Sequence, residues 1–192
     1  AALKAGTLKI KDATCPAVHA AIQAGQKGIP YMPLRGIIGS DVLANRDDWI
    51  VQQNPFSEDE DPIVLLPALR PDVTLAHGLK ADRDGNVYVG IRREIISMAH
   101  ASTMTICTVE EIVDDNLLAD DATAAGTLPA MYVGGVAVAE KGCWPLNFWD
   151  NYPVDNEAMT EYVRAARSDE GFQDYLNRNV LGTAPAAAAA AE

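Results

Sequence analysis

The segment from Pro71 to Val89 limits the possible fold of this chain more than any other part of it. Val73 to Ala76 predicts a buried strand, and Val87 to Val89 predicts a second strand, because both runs are apolar. Between them stands Asp84-Gly85-Asn86, which is typical of a tight turn. The segment is therefore predicted to form two strands joined by a short turn.

The turn from Asp82 to Asn86 is interpreted as structural. Gly85 supplies a positive φ at no steric cost, and the side chains of Asp82, Asp84 or Asn86 can bond backbone amides of the turn. A direct ligand role for Asp82 or Asn86 is the alternative. The turn statistics favour the structural role, so we predict Asp82, Gly85 and Asn86 to be turn residues.

The rest of the sequence alternates helical and strand patterns. Helices are predicted over residues 16–27, 94–101, 156–167 and 168–179, and strands over 49–51, 63–66, 103–109 and 131–139. Residues 29–34 contain two prolines and are interpreted as an edge strand or an extended loop. This alternation predicts an α/β fold with a mostly parallel sheet flanked by helices. We predict one domain over residues 1–180 and an alanine-rich, flexible tail over residues 181–192.

Three local features refine this prediction. Asn156 and Ser168 are expected to cap the last two helices. Glu110-Glu111 is interpreted as the first turn of a helix that follows a strand, where the helix dipole favours acidic residues. Gly134-Gly135 predicts a kink in a strand, with a backbone oxyanion donor as the alternative.

Composition excludes several classes of function. The net charge is −12, which disfavours nucleic acid and anionic membranes as partners. No apolar run approaches the ~20 residues of a membrane span, and no secretory signal is evident. The three cysteines, Cys15, Cys107 and Cys143, are widely spaced without a C-x-x-C pair, so neither a metal site nor a disulfide framework is expected. Reduced thiols favour a cytoplasmic protein.

The candidate binding residues lie in two places. Arg35, Gly36, Gly39 and Ser40 belong to a glycine-bearing loop, in which backbone amides can approach a ligand and the guanidinium can pair with a carboxylate or phosphate. The alternative, which we weight equally, is a surface loop in which the side chain of Arg35 is exposed to solvent and binds no ligand. His77 ends the predicted buried strand, where a hydrogen-bonded core histidine is the more frequent role and a general base the less frequent one.

Four stretches together resemble the class I CoA-transferases, and above all A subunits of the glutaconate CoA-transferase type. They are Gly28 to Asp41, Leu66 to Val73, the pattern His77-x4-Asp82-x2-Gly85-Asn86, and Thr108 to Val113. They are also similar to the A subunit of a steroid ring-opening CoA-thioester hydrolase. The resemblance implies the three-layer α/β fold of these enzymes, related to that of sugar-phosphate isomerases. Family A subunits begin with a glycine-rich segment that this sequence lacks, so the chain resembles the later part of such a subunit.

The resemblance also implies a function. Such enzymes move CoA from an acyl-CoA to a carboxylic acid through a glutamyl-CoA intermediate, and the nucleophilic glutamate belongs to a partner subunit. No catalytic residue, metal or bound cofactor is therefore expected in this chain, and CoA is a substrate. The expected partners are a B-type subunit and the missing part of the A subunit, in a hetero-oligomer. A CoA-thioester hydrolase and a noncatalytic ligand-binding module of the same fold are the alternatives.

Overall fold

The computed structural model describes residues 3–182, which form two compact units divided after Glu140. The prediction of one domain over residues 1–180 stays a prediction. Residues 183–192 of the predicted tail lie outside the described residues.

The first part of unit 1 is a small antiparallel sheet with a helix packed on it. Its elements are α1 (Cys15–Gln26), β1 (Tyr31–Leu34), α2 (Asp41–Ala44), β2 (Ile50–Gln53) and β3 (Pro62–Pro67), with strand order β1-β3-β2. Helix α1 begins where the Thr14 hydroxyl accepts a hydrogen bond from the amide of Ala17 (3.3 Å). Ala17 and Ala21 then pack against Val64 and Leu66 of β3, which gives this sheet its core.

The larger sheet of unit 1 has five strands in the order β7-β5-β4-β6-β8. Its elements are β4 (Val73–Asp82), β5 (Val87–Tyr88), α3 (Arg93–Ala101), β6 (Met104–Val113), α4 (Asp121–Ala124), β7 (Thr127–Leu128), a 3₁₀ turn (Ala130–Tyr132) and β8 (Gly135–Val138). The pairs β4–β6 and β6–β8 are parallel, whereas β4–β5 and β5–β7 are antiparallel. The α/β class is confirmed, and the sheet is mixed because the turn after Asp82 reverses the chain.

Several boundaries differ from the sequence-based expectation. Strand β4 extends to Asp82, so His77 lies inside the strand and does not end it. Strand β6 extends to Val113, and the prediction that Glu110-Glu111 opens a helix is wrong. Pairing with β4 continues along both strands to their ends, and this long-range pairing overrides the local helical signal of the two acids.

The two faces of the parallel strands differ in their cover. One face carries Ala76, Cys107 and Val109, which pack with Ala99 of α3. The neighbouring positions in each strand point to the opposite face, because side chains alternate along a strand. On that face, Leu75 is 76% exposed, and its neighbours Val73, Met104 and Ile106 are also exposed. We call these four residues the open sheet face.

Unit 2 contains α5 (Asn156–Ala165) and α6 (Asp169–Asn179), and the ring of Tyr162 contacts those of Phe172 and Tyr175. Ser168 caps α6 as predicted. Asp155, not Asn156, caps α5, and its carboxylate accepts a hydrogen bond from the amide of Ala158 (2.9 Å). Across residues 3–182, the helices are all too short or too polar to cross a bilayer.

Candidate functional site

A histidine, a threonine and a glutamate form a polar cluster on the parallel strands β4 and β6. His77 stands opposite Thr108 in the sheet register. Its Nδ1 atom lies 2.8 Å from Thr108 Oγ1, and its Nε2 atom lies 2.8 Å from Glu110 Oε1. The His77 and Glu110 side chains are 12% and 10% exposed. We call these three residues the His77 cluster.

The His77 cluster lies beside the open sheet face. Residues Leu75 and His77 are two apart on β4, and Ile106 and Thr108 are two apart on β6, so all four side chains point to the same side of the sheet. A polar, nearly buried group therefore adjoins an exposed apolar surface. Whatever covers that surface also approaches the His77 cluster.

Both imidazole nitrogens of His77 are occupied by side-chain hydrogen bonds. A general base needs a nitrogen within hydrogen-bond reach of the proton that it removes. The present geometry instead fixes the imidazole between two residues of the neighbouring strand. Glu110 is likewise committed to His77, which does not leave its Oε1 atom free to act as a nucleophile.

The Arg35 loop lies beside the small antiparallel sheet. The guanidinium donates from Nε to Asp61 Oδ1 (2.7 Å) and from Nη2 to Asp61 Oδ2 (2.5 Å), and Asn54 Nδ2 donates to Oδ2 (2.7 Å). These hydrogen bonds, from Arg35 first and Asn54 second, lower the pKa of Asp61 to about 2. An anionic ligand would therefore have to compete with Asp61 for this cation.

The other predicted binding residues of this loop have distinct positions. Gly36 lines an open groove of about 470 Å³ together with Arg35 and Asn54. Gly39 has a φ of 77° and turns the chain into α2. Ser40 caps α2, because its hydroxyl accepts from the amide of Leu43 (3.3 Å). The loop belongs to the small sheet, whereas His77 belongs to the larger one, so the candidates do not form one cluster.

The turn after β4 is held by one buried carboxylate. Asp82 Oδ1 accepts from the amides of Asp84 (3.0 Å) and Asn86 (2.9 Å), and Oδ2 accepts from Asn86 Nδ2 (2.7 Å) and the amide of Leu117 (3.1 Å). Burial raises the pKa of Asp82, but these hydrogen bonds outweigh it and hold the pKa below its usual value. Gly85 has a φ of 92°, which L-residues rarely adopt. These contacts are those of a turn that stabilises the sheet.

An open cleft of about 380 Å³ is lined by residues of the Asp82 turn and by Gly134 and Gly135. The amide of Gly134 donates to the carbonyl of Thr105 (2.7 Å), so this amide is already used within the sheet.

Within residues 3–182, no group of three or more His, Cys, Asp or Glu side chains has the arrangement of a metal site.

Sequence reasoning singled out His77 but missed its two partners. The alternation Met104, Ile106, Thr108, Glu110 continues the strand pattern past Val109 and is the signal that would have placed Glu110 on the same face as Thr108. The pairing of Arg35 with Asp61 spans a 26-residue separation, and no local pattern indicates it.

Known proteins share both the sequence pattern and the fold. No protein-family model matches the chain. It is 32% identical over 164 residues to the A subunit of the 3-oxoadipate CoA-transferase of Pseudomonas knackmussii, covering 83% of this chain and 55% of that protein. It is 26% identical over 197 residues to the A subunit of the glutaconate CoA-transferase of Acidaminococcus fermentans, covering 93% of this chain and 60% of the relative.

Two further comparisons agree with these. The cholesterol ring-cleaving hydrolase IpdA subunit of Rhodococcus jostii is 24% identical over 186 residues, covering 93% of this chain and 63% of the relative. The crystal structure of the Acidaminococcus fermentans glutaconate CoA-transferase matches with a TM-score of 0.83 and 24% identity, covering 94% of this chain and 62% of that one. The chain thus spans about three fifths of the length of these relatives.

The fold is that of the CoA-transferases, as the sequence motifs implied. By sequence, the chain is similar to the A subunits of the glutaconate and 3-oxoadipate CoA-transferases.

Proposed function

We propose that this chain is part of the A subunit of a CoA-transferase, which moves CoA between an acyl-CoA and a carboxylic acid. The observation that carries the proposal is the similarity to two CoA-transferase A subunits over 83% and 93% of this chain. The relatives are longer, so the activity of the whole protein is an inference from them. CoA takes part as a substrate, and we place the reaction in the cytoplasm.

The proposed chemistry is covalent and uses a glutamate of a B-type partner subunit. The glutamate carboxylate attacks the acyl-CoA carbonyl, the C–S bond breaks, and CoA leaves as a thiolate, which gives a mixed anhydride of the glutamate and the acyl group. The thiolate then attacks the glutamyl carbonyl of the anhydride, which releases the acyl group as a carboxylate and leaves a glutamyl-CoA thioester. The acceptor acid takes CoA from this thioester by the reverse steps.

Two features of the described residues support the proposal that this chain requires other polypeptides for activity. First, the carboxylate of the His77 cluster is committed to an imidazole, so this cluster is a poor source of the nucleophile. Second, Leu75 and its three neighbours leave one face of the parallel strands open, although parallel sheets are normally covered on both faces. We infer that the rest of an A-type subunit covers the open sheet face and that a B-type subunit supplies the glutamate.

The candidates for contact with CoA or the acyl group remain Arg35, Gly36, Gly39, Ser40 and His77. Of these, Arg35 carries the charge that suits an anionic group, and it would exchange Asp61 for that group on binding. Because both His77 nitrogens already have side-chain partners, a positioning role beside the open sheet face is favoured over a direct role in proton transfer.

The experiment follows the fate of CoA. The chain, combined with the rest of its A subunit and a B-type subunit from the same organism, is given an acyl-CoA and an isotopically labelled carboxylic acid. Formation of labelled acyl-CoA is the expected result. Release of free CoA without labelled thioester would instead support a CoA-thioester hydrolase, which the similarity to the Rhodococcus jostii protein makes the second candidate. If neither product forms and the chain binds no CoA ester, the enzyme proposal is wrong.

A further inference from the structure

An exposed aromatic side chain stands at the tip of the hairpin formed by β2 and β3. Phe56, between the two strands, is 96% exposed, the largest fraction among the large apolar side chains of residues 3–182. Strand β2 lies at the edge of the small sheet, and its apolar residues Ile50 and Val51 are exposed too. We call residues 50–67 the Phe56 hairpin. Val64 and Leu66 of β3 belong to the core of the small sheet, whereas Phe56, Ile50 and Val51 lie outside that core.

The loop that carries Phe56 is held in one conformation by side-chain hydrogen bonds. Asn54 Oδ1 accepts from the amide of Phe56 (3.1 Å), and Asn54 Nδ2 donates to Asp61 across the loop (2.7 Å). Gln53 accepts from the amide of Asp61 (3.1 Å) and donates to the carbonyl of Asp59 (2.6 Å). Because the loop is ordered before any partner arrives, binding through Phe56 loses little conformational entropy.

Negative charge surrounds this aromatic tip. Glu58, Asp59 and Glu60 follow Phe56 in the loop, and all three are exposed. The chain as a whole has a net charge of −12. A second copy of the chain would bring the same sign of charge to the contact, which is repulsive. The charge pattern instead fits a different protein whose apolar pocket is bordered by lysine or arginine.

We propose that the Phe56 hairpin is the anchor through which this chain binds its B-type partner subunit. The inference rests on the proposed function and names the surface that the partner uses. An apolar anchor within a charged rim is the pattern of an interface between separately folded subunits. The open sheet face lies on β4 and β6, whose opposite face packs with α3, which suits a second layer that completes the cover of the larger sheet. The two surfaces therefore suit two different parts of the complex.

The test measures, by titration calorimetry, the affinity of this chain, combined with the rest of its A subunit, for the B-type subunit of its own organism. Phe56→Ala is expected to raise the Kd about 30-fold or more, which is the effect of truncating an interface anchor. Ile91→Ala is the matched control, because Ile91 is 87% exposed and lies outside the hairpin. It is expected to leave the Kd unchanged. In stopped-flow mixing, which measures the association rate, the triple substitution E58Q/D59N/E60Q is expected to slow association about 10-fold at low salt and to weaken its salt dependence.

The outcomes separate this inference from the proposed function. If wild-type chain binds the B-type subunit and Phe56→Ala binds as well as Ile91→Ala, the anchor is wrong and the proposed function stands. If the wild-type chain does not bind that subunit, both fail. If Phe56→Ala instead converts a dimer of this chain to a monomer in native mass spectrometry, the hairpin binds a second copy and the inference is overturned. Equal urea midpoints for wild type and Phe56→Ala establish that the variant is folded.

Discussion

The Asp82 carboxylate offers the sharpest prediction about the fold, and Asp82→Asn tests it with almost no change in volume. The two carboxylate oxygens accept four hydrogen bonds, two on each atom, from Asp84, Asn86 and Leu117. Asparagine keeps only one of these oxygens. Whichever way the amide is turned, two donors lose their acceptor and face an NH₂ group instead.

The expected loss follows from the burial of these donors. Asn86 and Leu117 are 5% and 2% exposed, so water cannot replace the lost acceptor readily. A buried donor without a partner costs ~1–3 kcal/mol. If the new NH₂ group replaces Oδ1, only the Asn86 amide is a buried donor without an acceptor, because Asp84 is exposed, so we expect a loss of at least about 1 to 3 kcal/mol in the free energy of unfolding. This is a large part of the ~5–15 kcal/mol that stabilises a typical domain.

Urea denaturation of the two proteins at pH 7 measures this loss, with Asp84→Asn as the matched control. Asp84 is exposed, and its substitution should change the free energy by less than about 0.5 kcal/mol. Because the folded-state pKa of Asp82 is lowered, its stabilisation is present above pH 3.8 and is lost as the pH falls below that value. The difference between wild type and Asp82→Asn should therefore shrink in acid. Equal stabilities of Asp82→Asn and Asp84→Asn at pH 7 would refute the reasoning.

Three further predictions follow from burial and exposure. Burial lowers the pKa of His100, so the imidazole resists protonation in the folded protein. The free energy of unfolding should therefore fall as the pH drops below 6.5. In urea denaturation, His100→Gln should flatten the dependence of the midpoint on pH below 6.5. Burial raises the pKa of the Cys107 thiol to about 11, so iodoacetamide at pH 8 should label Cys15 in the native protein and Cys107 only in denaturant, as peptide mass spectrometry would show. Leu75→Ser should change the free energy of unfolding by less than about 0.5 kcal/mol but reduce self-association in light scattering, and an unchanged aggregation level would count against the open sheet face as an association surface.

Local signals predicted most of the elements around the sheet. The helix after Thr14, the turn around Gly85 and the cap at Ser168 each depend on neighbouring residues, and the sequence patterns located all three. Asp155 took the capping role expected of Asn156, an error of one residue between two side chains that both cap helices well.

The features that were missed depend on distant residues. Glu110 lies in a strand because β6 pairs with β4. Its carboxylate can be nearly buried because it forms a hydrogen bond with His77, which lies 33 positions earlier in the sequence. The residues of the open sheet face were predicted to lie in buried strands. Their exposure could not be predicted, because the sequence does not show which face of the sheet is covered by other elements. Phe56 gave no signal either, because an apolar residue in an acidic loop does not reveal whether it folds inward or outward.

The most direct test of the account is a search for glutamyl-CoA on the B-type subunit. The complete complex, including this chain, is incubated with an acyl-CoA, quenched and examined by mass spectrometry of its separated polypeptides. The account predicts a CoA adduct on a glutamate of the B-type subunit and none on this chain. A CoA adduct on a glutamate of this chain, or a complex that exchanges CoA without any covalent intermediate, would contradict it.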